Sequence, residues 1–451
     1  MSVQLAIANI ALATSSVSRQ GFGTILFAGK HNYFSERVRA YTSTLAMSTD
    51  GIPTTSSIYI AAQGAFSQNP SPTSIKIGRQ ETTSILSLSN FVASTSNHTV
   101  VLQANTIAQS TITVPANTTE ETTIDDIITA IDAIFSTKIT ATKVGSGAAS
   151  TITLVQIVSG TDWYTVGGLV NLVETFEAVS TELAAATIAA ISLEDDAYRY
   201  FTAEDKSNAF VLAAAADIEA KLKVFRTSMN EVNDLLSTPT GTIADLNTAN
   251  YFRSSAFFHH EASTKFPEVS ALAEIAFAVT GSVTYANRIV AAVSPSKNAS
   301  GKDLTATEQT NLKKVNGDYF ARVGSSISDP VITVVGKMAS GEYIDNIVGR
   351  DNLQVDLEAD LTNLLIRQKA SKVAFNNKGA NQIRSVLQTV LSLYTSEGTH
   401  NFIEDDFVIV IPDQSLFNTA DKASRTFKQI TFKATLTNAI HMVELTGTLS
   451  L

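Results

Sequence analysis

The feature that most constrains this chain is a change of period that keeps recurring: runs with every second residue apolar give way to runs apolar at every third or fourth, then return. Near the start, Val3, Leu5 and Ile7 alternate with Gln4, Ala6 and Ala8, a short strand. "FGTILFAG" is a second, apolar strand closing on Gly29. Behind Pro53 and Thr54, residues Ile58, Ala61, Ala62 and Ala65 take helical spacing, and "TSIKIG" returns as a strand. Strand, helix, strand in that order seeds an α/β layer.

One stretch breaks the rhythm. Residues 90–168 are rich in Thr, Ser and Ile and nearly free of Lys and Arg. "HTVVLQA" and "STITVPA" read as strands, and Ile124, Ile127, Ile128, Ile131, Ile134 and Phe135 follow helical spacing. Asp125 and Asp126 are expected in that helix's first turn, where the macrodipole favours anions. "KITATKV" and "STITLVQIV" complete a ββαββ unit, read as a small domain inserted into a larger one. Alternation then resumes with a helix in "DKSNAFVLAAAADIEAKLKVF", the strand "FRTSM", a helix in "TIADLNTAN" and the strand "RSSAFFHH". A helix in "EVSALAEIAFAV" and a strand in "NRIVAAV" follow.

In the last third, Thr305 and Glu308 form a capping-box pair ahead of a helix. "DYFARVG" and "PVITVVGKM" are strands. Leu353, Leu357, Leu361, Leu364 and Leu365 mark one long helix, and Ile383, Val386, Leu387, Val390, Leu391 and Tyr394 mark another, with Gly398 placed to end it in a left-handed turn. The unbroken apolar run "FVIVIP" predicts a buried strand. "KQITFKATLT" puts Ile430, Phe432, Ala434 and Leu436 on one face, and a hairpin through Asn438 leads to a terminal strand over Met442–Leu451. The expected class is therefore α/β and α+β multidomain: mixed sheets with packed helices and an inserted ββαββ domain. The domains expected are an arm strand over 1–20, a main α/β domain from 21–89 with 169–300, the insertion 90–168, and a C-terminal core 301–451.

Chemistry is sparse. With 451 residues, 44% hydrophobic and only 16% charged, the chain is long enough for two to four packed units and poor in charge for a free monomer. Its formal charge is −10 and it has no basic run to follow a phosphate backbone, which argues against direct nucleic-acid binding. There is no cysteine, hence no disulfide, thiolate metal site or Cys nucleophile. No basic residue precedes Arg19, so the apolar start lacks the positive region of a secretory signal, and runs such as "LAAATIAAI" are too short to span a membrane. His259, His260 and Glu261 form the one tempting metal cluster, but neighbours on a strand point to opposite faces. In "GFGTILFAG" the glycines precede the strand, the reverse of a dinucleotide loop. The pairs Asp125/Asp126, Asp195/Asp196 and Asp405/Asp406 suit helix starts or loops better than general acid and base, since consecutive residues do not converge on one atom. No catalytic residue, cofactor or metal is expected.

The order of several segments resembles one family, the contractile tail sheath proteins of myophages, along nearly the whole chain. The segments are "ERVRAYTSTLAMSTDGIPTTSSIYIAAQGAFSQNPSPTSIKIGR", "TGSVTYANRIVAAV", "NGDYFARVG", "ASGEYIDNIVGRDNLQVDL", "NNKGANQIRSVLQTVLSLYTSEG" and the ending "FKATLTNAIHMVELTGTLSL" with its Ala439, Ile440, His441 tripeptide. Departures are Asn352 in place of a more usual aromatic, Ala374 in place of proline and Asn438 in place of glycine. The resemblance implies a non-enzymatic subunit of a virion tail, assembled in the host cytoplasm without membrane insertion. Subunits of that family stack as six-fold rings around an inner tube and contract to drive it through the host envelope. The implied partners are other copies of the chain, the inner tail tube protein, and baseplate and tail terminator proteins.

The resemblance also implies exchanged terminal strands, which here are Val3, Leu5 and Ile7 at one end and Val443, Leu445, Leu449 and Leu451 at the other, beside Ile430, Phe432 and Leu436. It directs the C-terminal core to the tube, with the helix from Asp351 to Arg367 as the contact. There Asp356, Glu358 and Asp360 equally suit an ordinary solvated face. The insertion is expected to project outward. Two other classes stay open: an α/β enzyme with an unrecognised small-molecule site, and a static capsid or baseplate component.

Overall fold

The computed structural model describes residues 23–158, 162–177, 182–324, 326–366, 372–428 and 430–442. The arm residues Val3, Leu5 and Ile7, the terminal residues Val443, Leu445, Leu449 and Leu451, and Arg367 lie outside the described residues. The strands in chain order are β1 Ile25–Lys30, β2 Val38–Tyr41, β3 Ile75–Gln80, β4 Ser84–Leu88, β5 Asn97–Ala104, β6 Ile107–Pro115, β7 Ile139–Val144 and β8 Thr151–Gln156. They continue as β9 Tyr164–Val170, β10 Leu172–Phe176, β11 Tyr200–Ala203, β12 Val224–Met229, β13 Ser254–Phe258, β14 Asp318–Arg322, β15 Val331–Val334, β16 Val408–Val410 and β17 Thr431–Lys433. Two compact units result. A sheet unit takes the described residues of Gly21–Ala278 with Thr284–Ile347, and a C-terminal unit takes Val279–Val283 with those of Val348–Leu451.

The sheet unit is built on eight strands in the order β15-β14-β13-β12-β11-β1-β3-β2. Its interior pairs are parallel, and the edge strands β2 and β15 are antiparallel. Both faces are covered, which is why β1, β11, β12 and β13 are buried at every position. Alternation assigns the faces. Leu26 and Ala28 of β1 join a core with Ile188, Ile191, Val211, Ala214 and Leu312, contributed by the helices Ala184–Glu194, Asn208–Glu219 and Ala306–Lys314. Phe27 meets Phe266 edge-on at 5.0 Å, ahead of the helix Pro267–Ile275. That helix packs on Ser57–Phe66 so closely that a Cβ at Gly64 would stand 2.6 Å from Ser270 Oγ.

Local chemistry explains the helix starts. Ser56 Oγ accepts from Tyr59 N–H at 3.4 Å, so the helix opens at Ser57, later than Pro53 and Thr54 suggested. The Thr305/Glu308 capping box is present: Thr305 N–H donates to Glu308 Oε2 at 2.8 Å and Glu308 N–H to Thr305 Oγ1 at 3.3 Å.

The sheet accepts polar residues in its interior by pairing them. Fully buried Arg226 on β12 pairs with Asp318 on β14 and lies 4.2 Å over the Phe257 ring. Asp318 Oδ1 also accepts Gly336 N–H at 2.8 Å. Fully buried Glu268 accepts from Lys206 Nζ at 2.5 Å, Thr202 Oγ1 at 3.1 Å and Ser228 Oγ at 2.5 Å.

The structure moves several expected boundaries. β4 pairs with both β8 and β10, so the inserted layer's strands run from Ser84 to Phe176 and not from residue 90 to 168. They form two small sheets, β10-β4-β8-β7 and β6-β5-β9, around the helix Glu120–Phe135. That helix buries Ile124, Ile127, Ile131 and Phe135 and leaves Ile134 exposed. Capped by Thr119, it puts Glu120 and Glu121 in its first turn in place of Asp125 and Asp126. β14 and β15 extend the large sheet, which takes residues 318–334 out of the expected C-terminal core. "NRIVAAV" is not a strand; Ile289 makes an isolated bridge to Ile332.

Candidate functional site

His259 and His260 follow β13 on a turn, so the opposite-face rule for strands does not govern them, and with Glu261 their ligand atoms lie within 4.8 Å of one another. His259 is nevertheless fully engaged. Its Nδ1 accepts Glu261 N–H at 3.1 Å, which puts the proton on Nε2 for donation to the Ser294 carbonyl at 3.0 Å. Burial lowers its pKa to about 4, keeping it neutral. No lone pair is left on that ring for an ion, and Glu261 is held by Ser294 Oγ at 3.0 Å. Asp195 and Asp196 bind Lys76 at 2.5 Å and Lys223 at 2.7 Å, and Asp405 accepts from Ser396 at 2.8 Å; each pair serves local structure.

The C-terminal unit is organised by the helices Ile344–Ile366, which enters it at Val348, and Asn377–Tyr394. Asn376 caps the second, its Oδ1 accepting Gly379 N–H at 3.1 Å. The second helix stops at Tyr394 with extended backbone at Thr395, and Gly398 is not in the left-handed region. Leu353, Val390, Leu391, Tyr394, Phe402 and Ile403 make the core. Tyr394 lies flat on His400, rings 4.0 Å apart, and its hydroxyl donates to Asp356 Oδ2 at 2.8 Å. Asn352 donates to the same hydroxyl and so has its own buried partner.

That geometry corrects part of the assigned tube contact. Asp351 is fully buried, with Arg350 at 3.2 Å, and Asp356 is buried against Tyr394; neither can present a carboxylate to another protein. Of the remaining residues, Glu358 is exposed and accepts from Gln354 at 2.9 Å, and Asp360 is half-buried. Sequence spacing cannot separate these carboxylates, because the inward turn of Asp356 is set by a tyrosine some forty residues on.

Of the strand-exchange candidates, the described residues Ile430, Phe432 and Leu436 lie on or beside one small sheet. β16 and β17 pair antiparallel, Val408 opposite Lys433, Ile409 opposite Phe432 and Val410 opposite Thr431. The ladder continues where Glu404 N–H donates to Thr435 O at 2.8 Å and Ile403 bridges Leu436. Ile409 and Ala434 pack on the core, and Ile430 is half-buried. The rest of the sheet faces outward. "FVIVIP", expected buried, leaves Val408 56% and Val410 55% exposed, with Phe432 at 42% and Leu436 at 36%. Among the described residues no third strand joins this sheet. Arg384 Nη1 donates to the Ile409 carbonyl at 3.3 Å and covers one backbone group beside β16; β17 has no strand on its outer edge among the described residues.

Taken together, these features define a layered α/β protein whose described chemistry is structural and whose clearest unfinished surface is a sheet edge. No protein-family model matches the chain, and no curated protein matches it in sequence. Among solved structures it is similar to a chain of the anti-feeding prophage (AFP) baseplate in a 6-fold symmetrised cryo-EM structure, at 8% identity and TM-score 0.49 over 100% of both chains. It is also similar to a sheath tail protein of Listeria innocua, at 9% identity and TM-score 0.43 over 88% of this chain and 89% of that one.

Proposed function

We propose that this chain is a structural subunit of a contractile tail sheath, and that copies link by adding strands to the β16–β17 sheet. The observation that carries the reading is the exposure of Val408 and Val410 in "FVIVIP". One apolar face of that run stands in water on a sheet that has two strands among the described residues, and such a sheet is marginal by itself. Strands supplied by other copies complete it. Val3, Leu5 and Ile7, with Val443, Leu445, Leu449 and Leu451, are the segments with the alternation to do so.

An added strand with about four backbone hydrogen bonds at about 1 kcal/mol net each holds neighbours by a few kcal/mol per joint. Burying Val408, Val410 and Phe432 adds roughly 25 cal/mol per Å2 of apolar surface removed from water. Such joints swivel without parting. Subunits then move outward from an inner tube as rigid bodies while the strands stay paired, and the lattice shortens from a kinetically trapped long form to a lower-energy short one. The work comes from assembly energy, so the mechanism calls for no nucleotide site.

Negative-stain microscopy of the purified protein tests the reading. Tubes or stacked rings of regular width are expected, and deletion of residues 1–12 should abolish them. A discrete monomer or dimer under all conditions would overturn it, and a lattice with no second, shortened form would reduce it to a static component.

A further inference from the structure

A cavity of 680 Å3 opens where the order of the large sheet reverses. From β1 the chain crosses to β3 on one side, and after the insertion it returns to β11 on the other. The carboxyl ends of two such strands part to leave a crevice, the usual ligand position in open α/β sheets. Lys30 and Glu204 mark those ends here, and β10 of the inserted layer forms the far wall with Leu172, Glu174 and Phe176.

The lining is acidic in excess. Lys30 Nζ is matched by Asp205 at 2.9 Å. Glu204 accepts Lys30 N–H at 2.7 Å and Ser57 Oγ–H at 2.8 Å. Glu174 differs: Ser84 hydrogen-bonds its carboxyl group, while its Oε1 is buried and has no hydrogen-bond partner. A buried carboxylate oxygen in that condition calls for a proton or a cation. Burial raises the Glu174 pKa to about 8, so at neutral pH the empty site holds the proton.

The cation it suits is organic. Among the described residues only His259, His260 and Glu261 bring three ligand atoms within 4.8 Å, so the carboxylates of this cavity do not converge on a single metal ion. The space is instead walled by Ile58, Val166, Leu169 and Leu172. Tyr33 and Phe176, edge to face at 5.8 Å, also line it and offer aromatic faces to a cation.

We propose that this cavity binds a primary alkylammonium, with its charged head on Glu174 beside Tyr33 and its chain along the aliphatic wall. The site belongs to the sheet unit and does not depend on the assembly reading. Binding replaces the proton of Glu174 with the ammonium, so near pH 7 it releases about one proton. The other titratable groups facing Glu174 are Tyr33 and Tyr164, whose pKa values burial raises further, together with Lys30, Glu204 and Glu177.

Calorimetry with butylamine and 1,4-diaminobutane, in two buffers of different ionisation enthalpy, tests this on the full chain. Saturable binding is expected, with proton release at pH 7 that vanishes at pH 9.5, while butanol and sodium ion do not bind. Glu174→Gln mimics the protonated side chain and should fold normally; it should weaken binding about tenfold or more, the loss of one charged hydrogen bond, and abolish the proton release. Sedimentation separates the two sources of such a group. Amine binding without change of size marks a free ligand, and amine that disperses assemblies marks a lysine of a second copy. No saturable binding, or binding that Glu174→Gln leaves unchanged, overturns the proposal.

Discussion

Strands β12 and β16 invert each other. "VFRTSM" carries Arg226, Thr227 and Ser228 and is buried at every position, while "VIV" is wholly apolar and leaves two of its three residues more than half exposed. The sheet unit can bury polar side chains because it supplies their partners from its own strands and helices, as with Asp318 for Arg226 and Glu268 for Ser228. The C-terminal unit leaves apolar side chains in water where its small sheet has only two strands among the described residues. Burial in this molecule therefore reports which partners are at hand, more than the hydrophobicity of the run. A self-sufficient layer and an unfinished one coexist in one polypeptide.

The largest expected effect strikes the self-sufficient region. Arg226→Met strands Asp318 in the sheet without its counter-charge and should cost about 3–5 kcal/mol in denaturant unfolding. Arg226→Met with Asp318→Leu should recover most of that loss, and no recovery would mean the pair does not act as a unit. Next, Tyr394→Phe in the C-terminal unit removes the hydroxyl that serves both Asp356 and Asn352 and should cost about 1–3 kcal/mol, read as a lower unfolding midpoint.

Substitutions on the unfinished sheet should separate stability from assembly. Val408→Thr with Val410→Thr should shift monomer stability by less than about 0.5 kcal/mol, because these side chains are already in water, yet sedimentation should show assembly lost. Equal losses of folding and assembly would break the contrast between the regions.

The last effect is a slope with pH. Glu174 titrates at about 8 when folded, with burial the main cause, against roughly 4.3 when unfolded. The folded form keeps a proton that the unfolded form has lost, so this group's contribution is complete below the unfolded value and disappears as pH rises through the folded one. Thermal stability should therefore fall between about pH 5 and pH 8, and less steeply in Glu174→Gln.

Much of this architecture was legible in the sequence, and the misses share a cause. Ile124, Ile127, Ile131 and Phe135 declare a helix because one face of it meets one core, a local condition that spacing encodes. Thr305 and Glu308 declare the cap of the helix Ala306–Lys314 equally locally. β2, β4, β9 and β10 were not anticipated, since short strands earn their identity from the neighbours they pair with. Asp351 and Asp356 fit a solvated stripe until Tyr394 and the fold of the unit turn them inward. "FVIVIP" predicted burial on both faces, but among the described residues one face, Phe407 and Ile409, packs on the core while Val408 and Val410 face outward on a two-stranded sheet. The cavity at Glu174 left no motif, because its walls come from the end of β1, the start of the helix Ser57–Phe66, β9, β10 and Glu204 just past β11, which meet only through the fold.

Electron cryomicroscopy of the assembled particle tests the central claim most directly, by counting the strands around Val408–Val410 and Thr431–Lys433. The account predicts a sheet of at least three strands in which a backbone segment of another copy lies hydrogen-bonded along this pair. A pair still without neighbours, in an ordered particle held together by side-chain contacts alone, would contradict it.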